Sequence, residues 1–241
     1  MRKWDWKRWF GIVLMVIGIS MIIYHYVPGI QVWLNQHDVS IASYNANQIK
    51  DNTAKAATES FEINDVKTAT PEEVAASRER IKNGQDQLTV LGAVYMPTQK
   101  SSASVVAGLS QSALLSGVGT FYPDQKMGEK NYPVAFHNMS TVAPNLLLTD
   151  MVNNTKKGDK IYLTDLDTVY EYETFFADLV PATRLDLVAE DLTEHGQPII
   201  TLQSCPPVGA DVSRYIVQGK LVKTFPYEQA DKDIIDGFNK V

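Results

Sequence analysis

Between Trp9 and Leu34 the chain has no Lys, Arg, Asp or Glu, and nearly every position is apolar. About 20 apolar residues in a helix cross a bilayer, so this run predicts one membrane-spanning helix. Trp4, Trp6 and Trp9 sit at one edge of the run, and Tyr24, Tyr26 and Trp33 at the other. Amphipathic rings take those places at the two membrane interfaces. Arg2, Lys3, Lys7 and Arg8 precede the run. The positive-inside rule keeps such a terminus in the cytoplasm and sends the body outside. A cleaved signal peptide is the competing reading, but the run is long for one and no small-x-small cleavage site follows it.

Residues 36–86 are rich in Ala, Asn, Asp, Glu and Lys and poor in aromatics. They read as a stalk with helical pieces. In "TPEEVAASRERIKNG", Thr70 is placed to cap a helix, Pro71 to take its first position and Glu73 to complete a capping box. From Leu88 the texture changes to short β-rich runs between turn residues: 88–95, 132–138, 160–166, 169–176, 199–205 and 213–222. A short helix is expected at 109–117 and a helical tail after Tyr227. Many strands with few helices, and no βαβ alternation, predict a mostly antiparallel sandwich or barrel. The expected organisation is therefore tip and anchor over 1–35, stalk over 36–86, and folded domain over 87–241.

Charge narrows the choice of partners. The net charge is -6. The first 37 residues carry +3, so the body carries -9. Phosphate binding needs a basic surface, so nucleic acid is not expected as a partner.

The chain has one cysteine, Cys205. Outside the cell it cannot close an internal disulfide, which leaves a buried small hydrophobe or a reactive thiol. Alternation along 199–205 puts Ile200, Leu202 and Ser204 on one face and Ile199, Thr201, Gln203 and Cys205 on the other. A hairpin centred near Gly209 sets Cys205 opposite Arg214, on the same face. A guanidinium there favours the thiolate and can hold a developing oxyanion.

A nucleophilic thiol usually also needs a histidine. His25 lies in or beside the membrane run and His37 at the start of the stalk. His195 falls at the far end of the strand that leads to Cys205, in the turn-like "TEHGQP". His137 shares a face with Ala135, opposite Tyr132, Val134 and Phe136. A hydrogen-bonded core histidine is the plainer reading of it, and spacing alone does not bring it to Cys205.

"TLQSC" with Arg nine residues on resembles the TLxTC…R signature of sortases, the cysteine transpeptidases of Gram-positive bacteria. "FYPDQKMGEKNYPVAFHN", "KKGDKIYLTDLDTVYEYE" and "RYIVQGKLV" are similar to class A, housekeeping sortases. The resemblance spans about 88–225. It implies an eight-stranded sortase-type β-barrel in a mainly β domain. It assigns Cys205 as nucleophile, His137 as general acid/base and Arg214 as oxyanion donor. It also implies that Thr201, Leu202, Gln203 and Ser204 belong to the strand under a substrate groove, with Ala135 and Val180 (in "LVPAT", 179–183) helping to line it. The implied partners are surface proteins with an LPxTG-like signal and an amine of a peptidoglycan precursor, lipid II. Phe136 stands where the family usually has Gly, Ser204 where it usually has Thr, and Asn138 where several relatives have a second His. Some class A sortases bind calcium through an acidic loop before the histidine. Here Lys126 and Lys130 interleave with Asp124 and Glu129, so neither calcium nor any cofactor is expected.

Three other readings compete. An L,D-transpeptidase places Gly before its cysteine and a basic residue soon after, and "QSCPPV" has neither. A class C, pilin-polymerising sortase usually has a lid and a second membrane helix, whereas "DKDIIDGFNKV" is polar. A non-catalytic adhesin or sensor would keep Cys205 only for packing.

Overall fold

A computed structural model describes residues 6–61, 68–140, 147–149, 151–206 and 212–240. The apolar run forms α1 (Trp6–Asp38), whose first two-thirds is exposed. It is long and apolar enough to cross a membrane. The far end of α1 packs against the protein, with Val32, Asn35 and Gln36 buried.

The described residues of segment 36–86 do not stand clear of the body. It forms α2 (Ala46–Lys55) and α3 (Pro71–Lys82), and both pack on neighbouring elements. Asn45 and Gln48 cap α2 reciprocally, each side chain accepting the other's backbone N–H. Thr70 caps α3 by accepting the Glu73 N–H, with Pro71 in the first turn as its fixed φ favours. Ile49 of α2 and Val74 of α3 are completely buried, which ties both helices to the hydrophobic interior.

The body is a closed barrel of β1 (Val90–Met96), β2 (Ser101–Val106), β3 (Val118–Thr120), β4 (Asn131–Phe136), β5 (Lys160–Thr164), β6 (Thr168–Pro181), β7 (Ile199–Ser204) and β8 (Ser213–Pro226). Around the barrel the order is β1-β2-β3-β4-β7-β8-β6-β5. The β2–β3 and β4–β7 pairs are parallel and the others antiparallel. The barrel is thus mostly antiparallel, as expected, with two parallel pairs that make it mixed. Closure removes the unpaired edges that make open sheets sticky. Three further helices are short: α4 (Gln111–Ser116), α5 (Met151–Asn154) and α6 (Lys232–Phe238).

Alternation decides what each strand buries. Tyr132, Val134 and Phe136 of β4 join Ile200 and Leu202 of β7 and Val217 of β8 in the main core. Ala135 lies on the opposite face of β4, where Leu109 and Leu114 cover it. A second cluster, with Ile49 of α2 and Phe238 of α6, covers Ala93 and Tyr95 on the other face of β1. Phe136 is therefore a core side chain that points away from the face of Ala135, as the strand reading expects.

Candidate active site

The site is created by one pairing that joins strands distant in sequence. In the parallel β4–β7 ladder, Ala135 pairs with Gln203 and Phe136 with Ser204. His137 and Cys205 are each the next residue along. In the antiparallel β7–β8 ladder, Gln203 pairs with Ile216 and Ser204 with Tyr215. Continuing that register sets Cys205 against Arg214, as the hairpin argument expects. The β6–β8 ladder then sets Val180 against Arg214. Residues paired across a ladder share a face with Cβ atoms about 5 Å apart, so three chemically distinct side chains gather at one end of the barrel wall.

Their surroundings differ. Cys205 is half-buried and is not in a disulfide. Burial pushes its thiol pKa up, and the nearby Arg214 guanidinium pulls it back down. Arg214 donates from one guanidinium nitrogen to the Ser213 carbonyl at 2.7 Å, which anchors one side of its fork. His137 is 6% exposed, and burial pushes its pKa down to about 4. Both effects have one origin: a low-dielectric environment disfavours the charged form of either group. At neutral pH the resting pair is a thiol and a neutral imidazole.

Gln111, the first residue of α4, was not singled out by the sequence. Its Oε1 lies 3.3 Å from His137 Nε2. The helix itself is legible at 109–117, but no spacing rule links it to a strand that begins after the intervening β3 and its loop.

The remaining candidate residues fall into three environments. Leu202 and Ser204 face the barrel interior; Leu202 joins the core and the buried Ser204 hydroxyl has no hydrogen-bond partner among the described residues. Thr201, 0% exposed, lies under the 3-10 turn Leu185–Val188. Its hydroxyl donates to Asn131 Oδ1 at 2.8 Å and receives Gln218 Nε2 at 3.1 Å. Gln218 also donates to the Leu187 carbonyl at 3.0 Å, and Asn131 to the Ala189 carbonyl at 2.9 Å. This network fastens the β6–β7 connection to the outer wall. Ala135, Val180 and Gln203 are buried close to the surface on the wall that carries Cys205. Leu179, Leu185 and Val212 are exposed apolar side chains on β6, the β6–β7 connection and the approach to β8.

The other histidines stay apart. His195 is exposed at φ 51° beside Glu194, a turn residue as expected. His37 stacks against Trp33 at the end of α1 with ring centroids 4.3 Å apart.

The loop before β4 forms a pocket of about 200 Å³ lined by Asp124, Gln125, Lys126, Glu129, Lys130, Asn131 and Glu190. Lys126 pairs with Glu129 at 3.9 Å and Lys130 with Glu190 at 3.6 Å. Among the described residues, no three His, Cys, Asp or Glu side chains converge as metal ligands would.

Comparison with known proteins bears on the family of the chain. The sortase domain family matches residues 94–222. Sortase A of Listeria monocytogenes is 31% identical over 219 residues, covering 90% of this chain and 92% of its own. Sortase A of Streptococcus agalactiae is 26% identical over 239 residues, covering 98% and 93%. The crystal structure of the Listeria monocytogenes enzyme superposes with a TM-score of 0.55 at 30% identity, over 63% of this chain and 98% of that one.

Proposed function

The chain belongs to the sortase family of cysteine transpeptidases, and from that premise we propose that it attaches surface proteins with an LPxTG-like signal to a cell-wall amine. The register that brings Cys205, His137 and Arg214 to one end of β4, β7 and β8 is the observation that carries this reading. The class A relatives support the housekeeping role over pilin polymerisation. The apolar α1 and the basic residues before and at its start support anchoring with the domain on the outer side of the membrane.

The mechanism follows from two neutral groups beside one permanent cation. The Cys205 proton passes to His137, and the thiolate attacks the Thr–Gly carbonyl of the signal. Negative charge moves to the carbonyl oxygen, where Arg214 supplies a fixed positive charge and N–H donors. The C–N bond breaks as the imidazolium gives its proton to the leaving amine. A thioester now joins the surface protein to Cys205. An amine of the peptidoglycan precursor attacks it, His137 takes the amine proton, and the returning sulfur is protonated as the new amide forms. The covalent intermediate divides one hard acyl exchange into two easier ones.

Arg214 has two tasks that a lysine would divide. It offsets the burial that raises the thiol pKa, and its fork donates in fixed directions. Thr201 serves indirectly, by fixing the Leu185–Val188 turn beside the groove. Val180 and Gln203 shape the wall against which the signal peptide lies, and Ala135 supports it from beneath Leu109 and Leu114. The test is turnover by the full chain in detergent micelles, using a quenched LPxTG peptide with triglycine as acceptor. Cleavage and ligation by the native chain, both lost in Cys205→Ala, support the reading. Unchanged turnover in Cys205→Ala refutes it.

A further inference from the structure

The proposed chemistry needs an imidazole that is neutral at rest, briefly cationic, and fixed in orientation although buried. We propose that Gln111 is the positioning residue for His137: its side-chain oxygen receives the Nε2–H, sets the tautomer and steadies the imidazolium. This rests on the reading of His137 as the acid/base group.

The argument starts from the contact between Gln111 Oε1 and His137 Nε2, 3.3 Å apart. A carbonyl oxygen can only accept, and a neutral imidazole carries one N–H. Nε2 is therefore the protonated nitrogen, and the lone pair stays on Nδ1. A proton arriving at Nδ1 leaves the Nε2–H in place and makes it a stronger donor to the same oxygen. Burial pushes the imidazole towards its neutral form. An oriented acceptor offsets that bias just when the cation forms, because a hydrogen bond to a charged partner is stronger at low dielectric.

Gln111 can do this because its helix is held firmly. The Ser110 side chain caps α4 by accepting the Ala113 N–H at 3.2 Å. Ser77 of α3 donates to the Ser112 hydroxyl at 2.9 Å, and Ser112 donates in turn to Asp86. Arg80 pairs with that same Asp86 carboxylate at 3.0 Å. Leu114 packs on Ala135, two residues from His137 on the same face. The chain of contacts reaches further: Arg78 of α3 donates to Asn35 and to Asp38 of α1, both at 2.8 Å. The mount of the acid/base residue is thereby continuous with the helix that precedes the domain.

The test compares two variants of the ¹⁵N-labelled full chain in detergent micelles. Gln111→Met keeps the side-chain length and removes the acceptor. Gln111→Glu keeps the acceptor and adds a charge. The Met variant is expected to lose about tenfold to a hundredfold in kcat/KM, mostly through kcat, as removal of a bond to a charged group implies. Its His137 ¹⁵N shifts, assigned by subtracting the His137→Gln spectrum, are expected to lose the Nε2–H signature. The Glu variant is expected to retain that signature and to move the His137 limb of the pH–rate profile up by about 1 unit or more. A native tautomer in Gln111→Met, or an unmoved limb in Gln111→Glu, overturns the proposal. If Gln111→Met does not fold, the Glu profile decides alone. Full activity in His137→Ala would instead sink the acid/base reading, and the tautomer readout distinguishes the two failures because it needs no turnover.

Discussion

Acid should destabilise this protein specifically through His137. The side chain is almost wholly buried, and its pKa falls from 6.5 to about 4. In the unfolded chain the imidazole takes up a proton near pH 6.5, whereas the folded chain resists it until about pH 4. Between those values the unfolded state binds more protons, so stability falls as pH falls. Above 6.5 both states are neutral and the group contributes its full stability. That stability is lost progressively down to the folded pKa. At about 1.4 kcal/mol per pH unit, the gap corresponds to about 3 kcal/mol by pH 4. Cys205 does not blur the signal, because its raised pKa keeps the thiol protonated in this range. The perturbation is His137→Gln, which removes the titration but keeps a polar side chain. The assay is guanidinium unfolding of both full chains in the same micelles at pH 7, 6, 5 and 4. Carboxylates titrate alike in both, so the difference between the chains isolates His137. The native chain should lose about 3 kcal/mol more than the variant on going from pH 7 to 4. A difference that stays constant with pH, or grows in the opposite direction, refutes the reasoning.

Three further outcomes follow. Arg214→Lys should lower turnover nearly as far as Arg214→Ala, because a point charge does not replace a fork; native turnover in the Lys variant contradicts this. Thr201→Val should cost about 1–3 kcal/mol by thermal or chemical unfolding, since Asn131 and Gln218 would each lose a buried partner. An unchanged midpoint would show that the network under the Leu185–Val188 turn does not stabilise the fold. Phe136→Gly supplies the residue usual in the family, yet it empties a core position. It should destabilise by about 3–5 kcal/mol or more, as large-to-small core changes do, and a stability gain would contradict the packing.

The strands that carry the site were legible because both signals were local. Alternation separated Leu202 from Cys205, and the spacing argument set Cys205 against Arg214, one step beyond the last observed pair, Ser204 with Tyr215. His137 was legible only through family resemblance. Its approach to Cys205 depends on a parallel pairing of β4 with β7, and the chain between them builds β5 and β6 first. No short-range pattern encodes such a pairing. Two strands escaped periodicity altogether. In β2, Ser101, Ser102 and Ser104 look like surface residues but are buried between neighbours. In β3, "VGT" is too short to show a period. Its Gly119 is needed for contact, since a Cβ there would lie 2.3 Å from the Gly108 carbonyl oxygen. The stalk reading of 36–86 followed composition faithfully. What composition does not show is that a few residues suffice for docking: Ile49, Val74 and Ser77 are buried.

The central claim is a thioester on Cys205, and intact-protein mass spectrometry reads it directly. The full chain, incubated with an LPxTG peptide and no acceptor amine, should gain the mass of the peptide up to and including Thr. Hydroxylamine should release that adduct as the hydroxamate, triglycine should convert it to the ligated peptide, and Cys205→Ala should never form it. Peptide cleavage between Thr and Gly by the Cys205→Ala chain, or an adduct mapping to any other residue, would contradict the account.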